Sequence, residues 1–195
     1  MSNNQIARYA TLMPRLRLLV WGGAAVLFSI PVVAQIVKAE GFFWTIGDFV
    51  TAGVAILIAA TVIDFGIRKA DTMPYAIASA IAVGICFLTF WANGAVGIVG
   101  NENNDANAAF YGVILFAILA SAFAIALRRG APGAMARAMV ACAIAQVVTG
   151  IIVALLGYFT LIFTGFMTGM WLLSAVLYRR AGVEAVVSNS DRHAA

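Results

Sequence analysis

Long apolar runs separated by short polar breaks occupy nearly the whole chain, and the breaks set the predicted elements. Leu18 to Val37 follows Arg15 and Arg17 and carries no charge until Lys38. At ~1.5 Å per helical residue such a run reaches the ~30 Å of a bilayer's hydrocarbon core. Pro31 is expected to kink this helix rather than end it. A loop from Lys38 to Trp44 leads to a second run, and Arg68, Lys69 and Asp71 form the next break. Pro74 suits the first turn of a third helix. After the polar stretch NENNDAN comes a fourth run, which Arg128-Arg129-Gly130-Ala131-Pro132-Gly133 closes as a strong breaker. From Ala138 to Tyr178 no charge occurs. One helix of that length would measure ~60 Å, twice the hydrocarbon thickness, so the run is expected to turn near Gly157 to Thr160.

The pattern predicts an all-α, six-helix transmembrane bundle in a single domain. Its spans lie at about 18–37, 46–67, 75–98, 108–127, 138–156 and 160–178, with a disordered polar tail at 181–195; a five-helix bundle results if the last run is not split. A cleaved leader is the competing reading of the first run, since Val32-Val33-Ala34 before Gln35 has the form of a cleavage site. Against it, the polar leader ahead of Leu18 is long. TAGV at 51–54, FYGV at 110–113 and FTGF at 163–166 form a weak internal repeat.

Composition agrees with the pattern: 64% of the 195 residues are hydrophobic, 10% are charged and mean hydropathy is +1.00. A soluble domain carries ~25% charged residues. The net charge of +4 points to nucleic acid only until its distribution is examined. With the N-terminus inside, Arg8, Arg15, Arg17, Arg68, Lys69, Arg128, Arg129, Arg137, Arg179, Arg180 and Arg192 fall on the cytoplasmic side and Lys38 alone outside. This asymmetry predicts both termini in the cytoplasm, in an inner (plasma) membrane, and removes the nucleic-acid reading. Cys86 and Cys142 have no CxxC spacing, and the lone His193 lies in the tail. These residues exclude a bis-His haem and argue against a His-based zinc or iron site.

Few polar residues lie inside the runs. Gln146 sits nine residues beyond Arg137, ~13 Å into the bilayer, and is expected to make an interhelical hydrogen bond or to touch a solute. Asp64 stands one turn before Arg68, as an i,i+4 pair would, although an intramembrane carboxylate is also a functional candidate. Small residues at four-residue spacing (Ala76 and Ala80, Ala117 and Ser121, Ala141 and Ala145, Gly165 and Gly169) suit close helix packing or a homodimer face.

The densest polar stretch is Trp91 to Asn107, WANGAVGIVGNENNDAN, and WTIGDF at 44–49 is predicted to share its membrane face. Thr45-x-x-Asp48 has the form of a capping box, and Asp105 or Asn107 suits the start of the fourth helix. The alternative is a cation site of Asp48, Asn93, Glu102 and Asn107, an oxygen-only set suited to Ca²⁺ or Mg²⁺. Together with Arg137-Ala138-Met139…Ala145-Gln146, these segments resemble a family of small, uncharacterised bacterial polytopic inner-membrane proteins. The resemblance spans roughly residues 15–180 and implies the architecture without an activity; Asp105 departs from it, standing where Pro is expected.

No nucleophile–base pair, phosphate loop or metal-ligand spacing occurs in the chain, so no cofactor and no enzymatic activity are expected. The leading expectation is a non-enzymatic scaffold or accessory protein. It would act through the lipid bilayer and a membrane-protein partner or a second copy of itself. The alternative is a small-solute or ion transporter or channel subunit, with Asp48, Asp64, Asn93 and Gln146 marking its path.

Overall fold

The structure is a computed structural model describing residues 3–95, 97–101 and 103–193, with side chains described from 11 to 187. Among these residues all regular structure is helical: α1 (Asn3–Ile36), α2 (Ile46–Lys69), α3 (Met73–Ala95), α4 (Ala108–Arg128), α5 (Pro132–Leu155) and α6 (Leu161–His193), with a 3₁₀ turn at Asp105–Asn107 before α4. Each of the six helices contains a stretch long and apolar enough to cross a membrane. The predicted all-α architecture and its six-fold division hold, including the turn between Leu155 and Leu161 that splits the uncharged run.

The helices group into two compact units, residues 3–70 and, among the described residues, 71–193. In the first, α1 and α2 pair as a hairpin. Gly53 lets the chains approach: a Cβ there would lie 3.3 Å from the Phe28 ring. Its counterparts in the sequence repeat, Gly112 and Gly165, have nothing within 4 Å of an added Cβ, so the repeat does not extend to packing. α1 continues through Pro31 and reaches back to Asn3, taking in the polar leader ahead of Leu18.

The second unit is built on α5 and α6, with α3 against α6 and α4 against α5. Its core contains Met139, Cys142, Trp171 and Tyr178, all nearly inaccessible. Polar bonds stitch α3 to α6: Ser174 Oγ donates to the Ala78 carbonyl at 2.9 Å, and the Ser79 and Tyr178 hydroxyls lie 2.8 Å apart. Lipid supplies no hydrophobic drive between spans, so such bonds and close packing must hold them. Of the small-residue stripes, Ala76 and Ala117 are buried as packing requires. Gly165 and Gly169 are exposed, with nothing within 4 Å of an added Cβ, so of the two expected roles this pair does not serve packing between helices of the chain.

Two boundaries differ from expectation. α5 starts at Pro132, not near 138, because a left-handed pair, Arg129 (φ 49°) and Gly130 (φ 72°), ends α4 abruptly and Pro132 opens the next helix at once. The Tyr75 hydroxyl holds that corner by donating to the Gly130 carbonyl at 2.9 Å. α6 runs on to His193 through the stretch expected to be a disordered tail.

Candidate functional site

Asp48 stands in the first turn of α2 and acts there as a cap. One of its carboxylate oxygens accepts from the Thr45 backbone N–H at 2.7 Å and from the Thr45 hydroxyl at 2.8 Å. The Asp48 N–H donates back to the Thr45 hydroxyl at 3.4 Å, which completes the expected capping box. An aromatic group stands beside it, with the Trp44 ring centroid 5.2 Å from those of Phe42 and Phe49.

The α3–α4 loop brings together two of the four proposed cation ligands. Asn93, buried at the end of α3, donates through Nδ2 to the Asn107 carbonyl at 3.2 Å. Asn107, also buried, turns its side chain back onto the loop. Its Oδ1 accepts from the Val99 N–H at 2.8 Å, and its Nδ2 donates to the carbonyls of Asn101 at 2.6 Å and Val99 at 3.4 Å. One amide thus replaces the backbone partners that a glycine-rich turn lacks, which is the requirement for burying such a loop. Gly97 (φ 74°) and Gly100 (φ 69°) supply the left-handed turns. Glu102 lies outside the described residues, and Asp48 belongs to the other unit. Among the described residues no group of three His, Cys, Asp or Glu side chains is placed to hold a metal ion.

The cap at the start of α4 is neither Asp105 nor Asn107. Asn104 takes that role on the 3₁₀ turn: its Oδ1 accepts from the Ala106 N–H at 2.9 Å, while its Nδ2 donates to the Tyr158 hydroxyl at 2.9 Å. Asn107 makes no side-chain cap to α4, because its amide is spent on Val99 and Asn101. The Asn104–Tyr158 bond ties the α3–α4 loop to the α5–α6 turn. Beneath both lies a small apolar cluster of Val99, Phe110 and Val153.

Asp64 is buried between two arginines. Oδ1 accepts from Arg17 Nε on α1 at 2.6 Å, and Oδ2 pairs with Arg68 one turn along α2. The i,i+4 pair is as expected. Arg17 was not anticipated, because sequence spacing carries no information about which α1 residue meets α2. Both guanidinium groups remain partly exposed, which suits long side chains reaching toward an interface.

Gln146 does not make the interhelical hydrogen bond that was one of its two expected roles. It is wholly buried, at 0% exposure, yet neither its Nε2 nor its Oε1 has a hydrogen-bond partner among the described residues. The same holds for the hydroxyls of Thr160, just ahead of α6, and of Thr164 and Thr168 on α6, for the indole N–H of Trp171 on α6, and for Asn93 Oδ1 on α3. The i,i+4,i+8 spacing of Thr160, Thr164 and Thr168 is the sequence signal that marks this row.

The chain matches no family model, and no curated protein or solved structure matches it.

Proposed function

We propose that the protein is a non-enzymatic accessory or scaffold component of a bacterial inner membrane that acts through lipid or a membrane-protein partner, with both termini in the cytoplasm. One observation carries this reading: the ionisable group deepest in the first unit, Asp64, is committed to structure. Both its oxygens are taken by Arg17 and Arg68, an arrangement that a structural ion-pair network explains without a proton or ion relay. Asp48 is likewise spent on a cap. The surface offered outward is apolar: Leu115, Leu119 and Phe123 on α4 and Ile144, Val148 and Ile151 on α5 are exposed. Such faces suit lipid or the helix of another protein. The eleven-to-one distribution of basic residues supports the orientation.

A second reading, passage of a small solute, draws on Gln146. Reconstituted proteoliposomes separate the two. Absence of solute flux together with stable co-purification of one membrane partner supports the accessory role. Flux abolished by Asp64→Asn or Gln146→Ala overturns it.

A further inference from the structure

Among the described residues, five of the seven buried polar atoms without partners lie on α5 and α6, and a sixth belongs to Thr160 just ahead of α6. On α6, Thr164, Thr168 and Trp171 recur at helical spacing and so share one face, with Thr160 in line just ahead of the helix. On α5, Gln146 and Gly150 stand one turn apart. Two contacts fix how these helices face each other. A Cβ on Gly150 would lie 2.5 Å from Thr164 Cγ2, and one on Gly182 would lie 3.5 Å from Pro132 Cβ. Both pairs obey the same antiparallel register, and that register sets position 146 opposite position 168. Gln146 and Thr168 therefore stand opposite each other along the α5–α6 seam, with Trp171 three residues further along α6.

Packing alone accounts poorly for this arrangement. A helical threonine can bond the carbonyl one turn back; neither Thr164 nor Thr168 does. A primary amide used to join helices finds its partner on the neighbour; this one has none. Each buried polar group without a partner costs several kcal/mol in a hydrocarbon setting, so a row of them calls for a molecule that satisfies them. Its chemistry follows from the lining. No charged residue occurs from Ala138 to Tyr178, so an ion would find no counter-charge there. The amide and hydroxyls both donate and accept, while the indole only donates.

We propose that the α5–α6 seam binds a small uncharged molecule that both donates and accepts hydrogen bonds, held by Gln146, Thr164, Thr168 and the Trp171 indole. Water and a small polyol or amide share this chemistry. The site goes beyond the accessory role and stands whether or not that role is correct.

The test uses the full chain in nanodiscs with ¹⁵N-labelled tryptophan, the Trp171 indole resonance being assigned by its loss in Trp171→Phe. A nuclear Overhauser cross-peak from that N–H to water, lost in Gln146→Leu and weakened in Thr168→Val, identifies water as the occupant. A saturable shift of the same resonance on adding glycerol or acetamide, absent in Gln146→Leu, identifies a solute. Absence of both signals in the wild type overturns the proposal. So does a signal that survives in both variants. Should Gln146→Leu fail to fold, Thr168→Val alone decides, and an unchanged signal there overturns the site.

Discussion

Replacing Gly150 by alanine tests the α5–α6 seam with a single methyl group. The added Cβ would stand 2.5 Å from Thr164 Cγ2, 2.6 Å from its Oγ1 and 3.0 Å from its Cβ. Carbon atoms in contact settle at ~3.5–4.0 Å, so the overlap is about 1 Å. Thr164 cannot easily relieve it, because a β-branched side chain on a helix has few χ1 wells. Overpacking of this kind costs up to ~3 kcal/mol, from which better helix propensity returns ~1 kcal/mol. Gly150→Ala should therefore destabilise by about 2 kcal/mol. In reversible unfolding from detergent micelles, Thr164→Ala should remove most of that penalty, giving a coupling energy well above the ~0.5 kcal/mol of independent sites. Gly165→Ala and Gly169→Ala are the internal controls: nothing lies within 4 Å of either added Cβ, and both should be neutral or stabilising. If Gly150→Ala behaves like these controls, or if its cost simply adds to that of Thr164→Ala, the seam is not packed as described.

Two further substitutions examine the other polar groups. Asp64→Asn leaves Arg17 and Arg68 without their shared carboxylate. It should cost about 3 kcal/mol by the same unfolding assay, at the low end for a broken buried pair because both guanidinium groups keep partial exposure. Arg17→Gln, which leaves the Arg68 pair intact, should cost clearly less. Asn107→Ala should lose about 2 kcal/mol by stranding the Val99 N–H and two loop carbonyls. Asn107→Asp should be worse, since it turns a carboxylate toward those carbonyls. Rescue of Asn107→Asp by millimolar Ca²⁺ or Mg²⁺ would contradict the stapling role and favour a cation at the loop.

The fold was largely legible in the sequence because the constraint is one-dimensional: a bilayer dictates the length of each apolar run, and charge marks where each run stops. The uncharged run from Ala138 was divisible on length alone. Gly157, with φ 88°, is the residue that makes its turn. The Thr45–Asp48 cap was legible for a similar reason, being local and set by spacing. What could not be read was partner choice across helices. Asn107 and Asn104 are both loop amides beside the start of α4, and only the fold of the glycine turn decides which caps and which staples. Arg17 and Asp64 are 47 positions apart, and nothing in either run indicates their meeting. Gln146 was found as a polar residue at depth, but its surroundings depend on the register of α5 against α6, set by contacts at Gly150 and Gly182.

The proposed orientation, six crossings with the basic residues on the cytoplasmic side, is tested most directly by cysteine accessibility. In a Cys86→Ala/Cys142→Ala background, Asn103→Cys in the α3–α4 loop and Arg128→Cys at the end of α4 are both at exposed positions. In intact cells, a membrane-impermeant thiol reagent should label Asn103→Cys and leave Arg128→Cys unmodified until the cells are opened. Labelling of Arg128→Cys from outside, with Asn103→Cys protected, would invert the orientation. Labelling of both from outside would contradict a membrane crossing by α4 altogether.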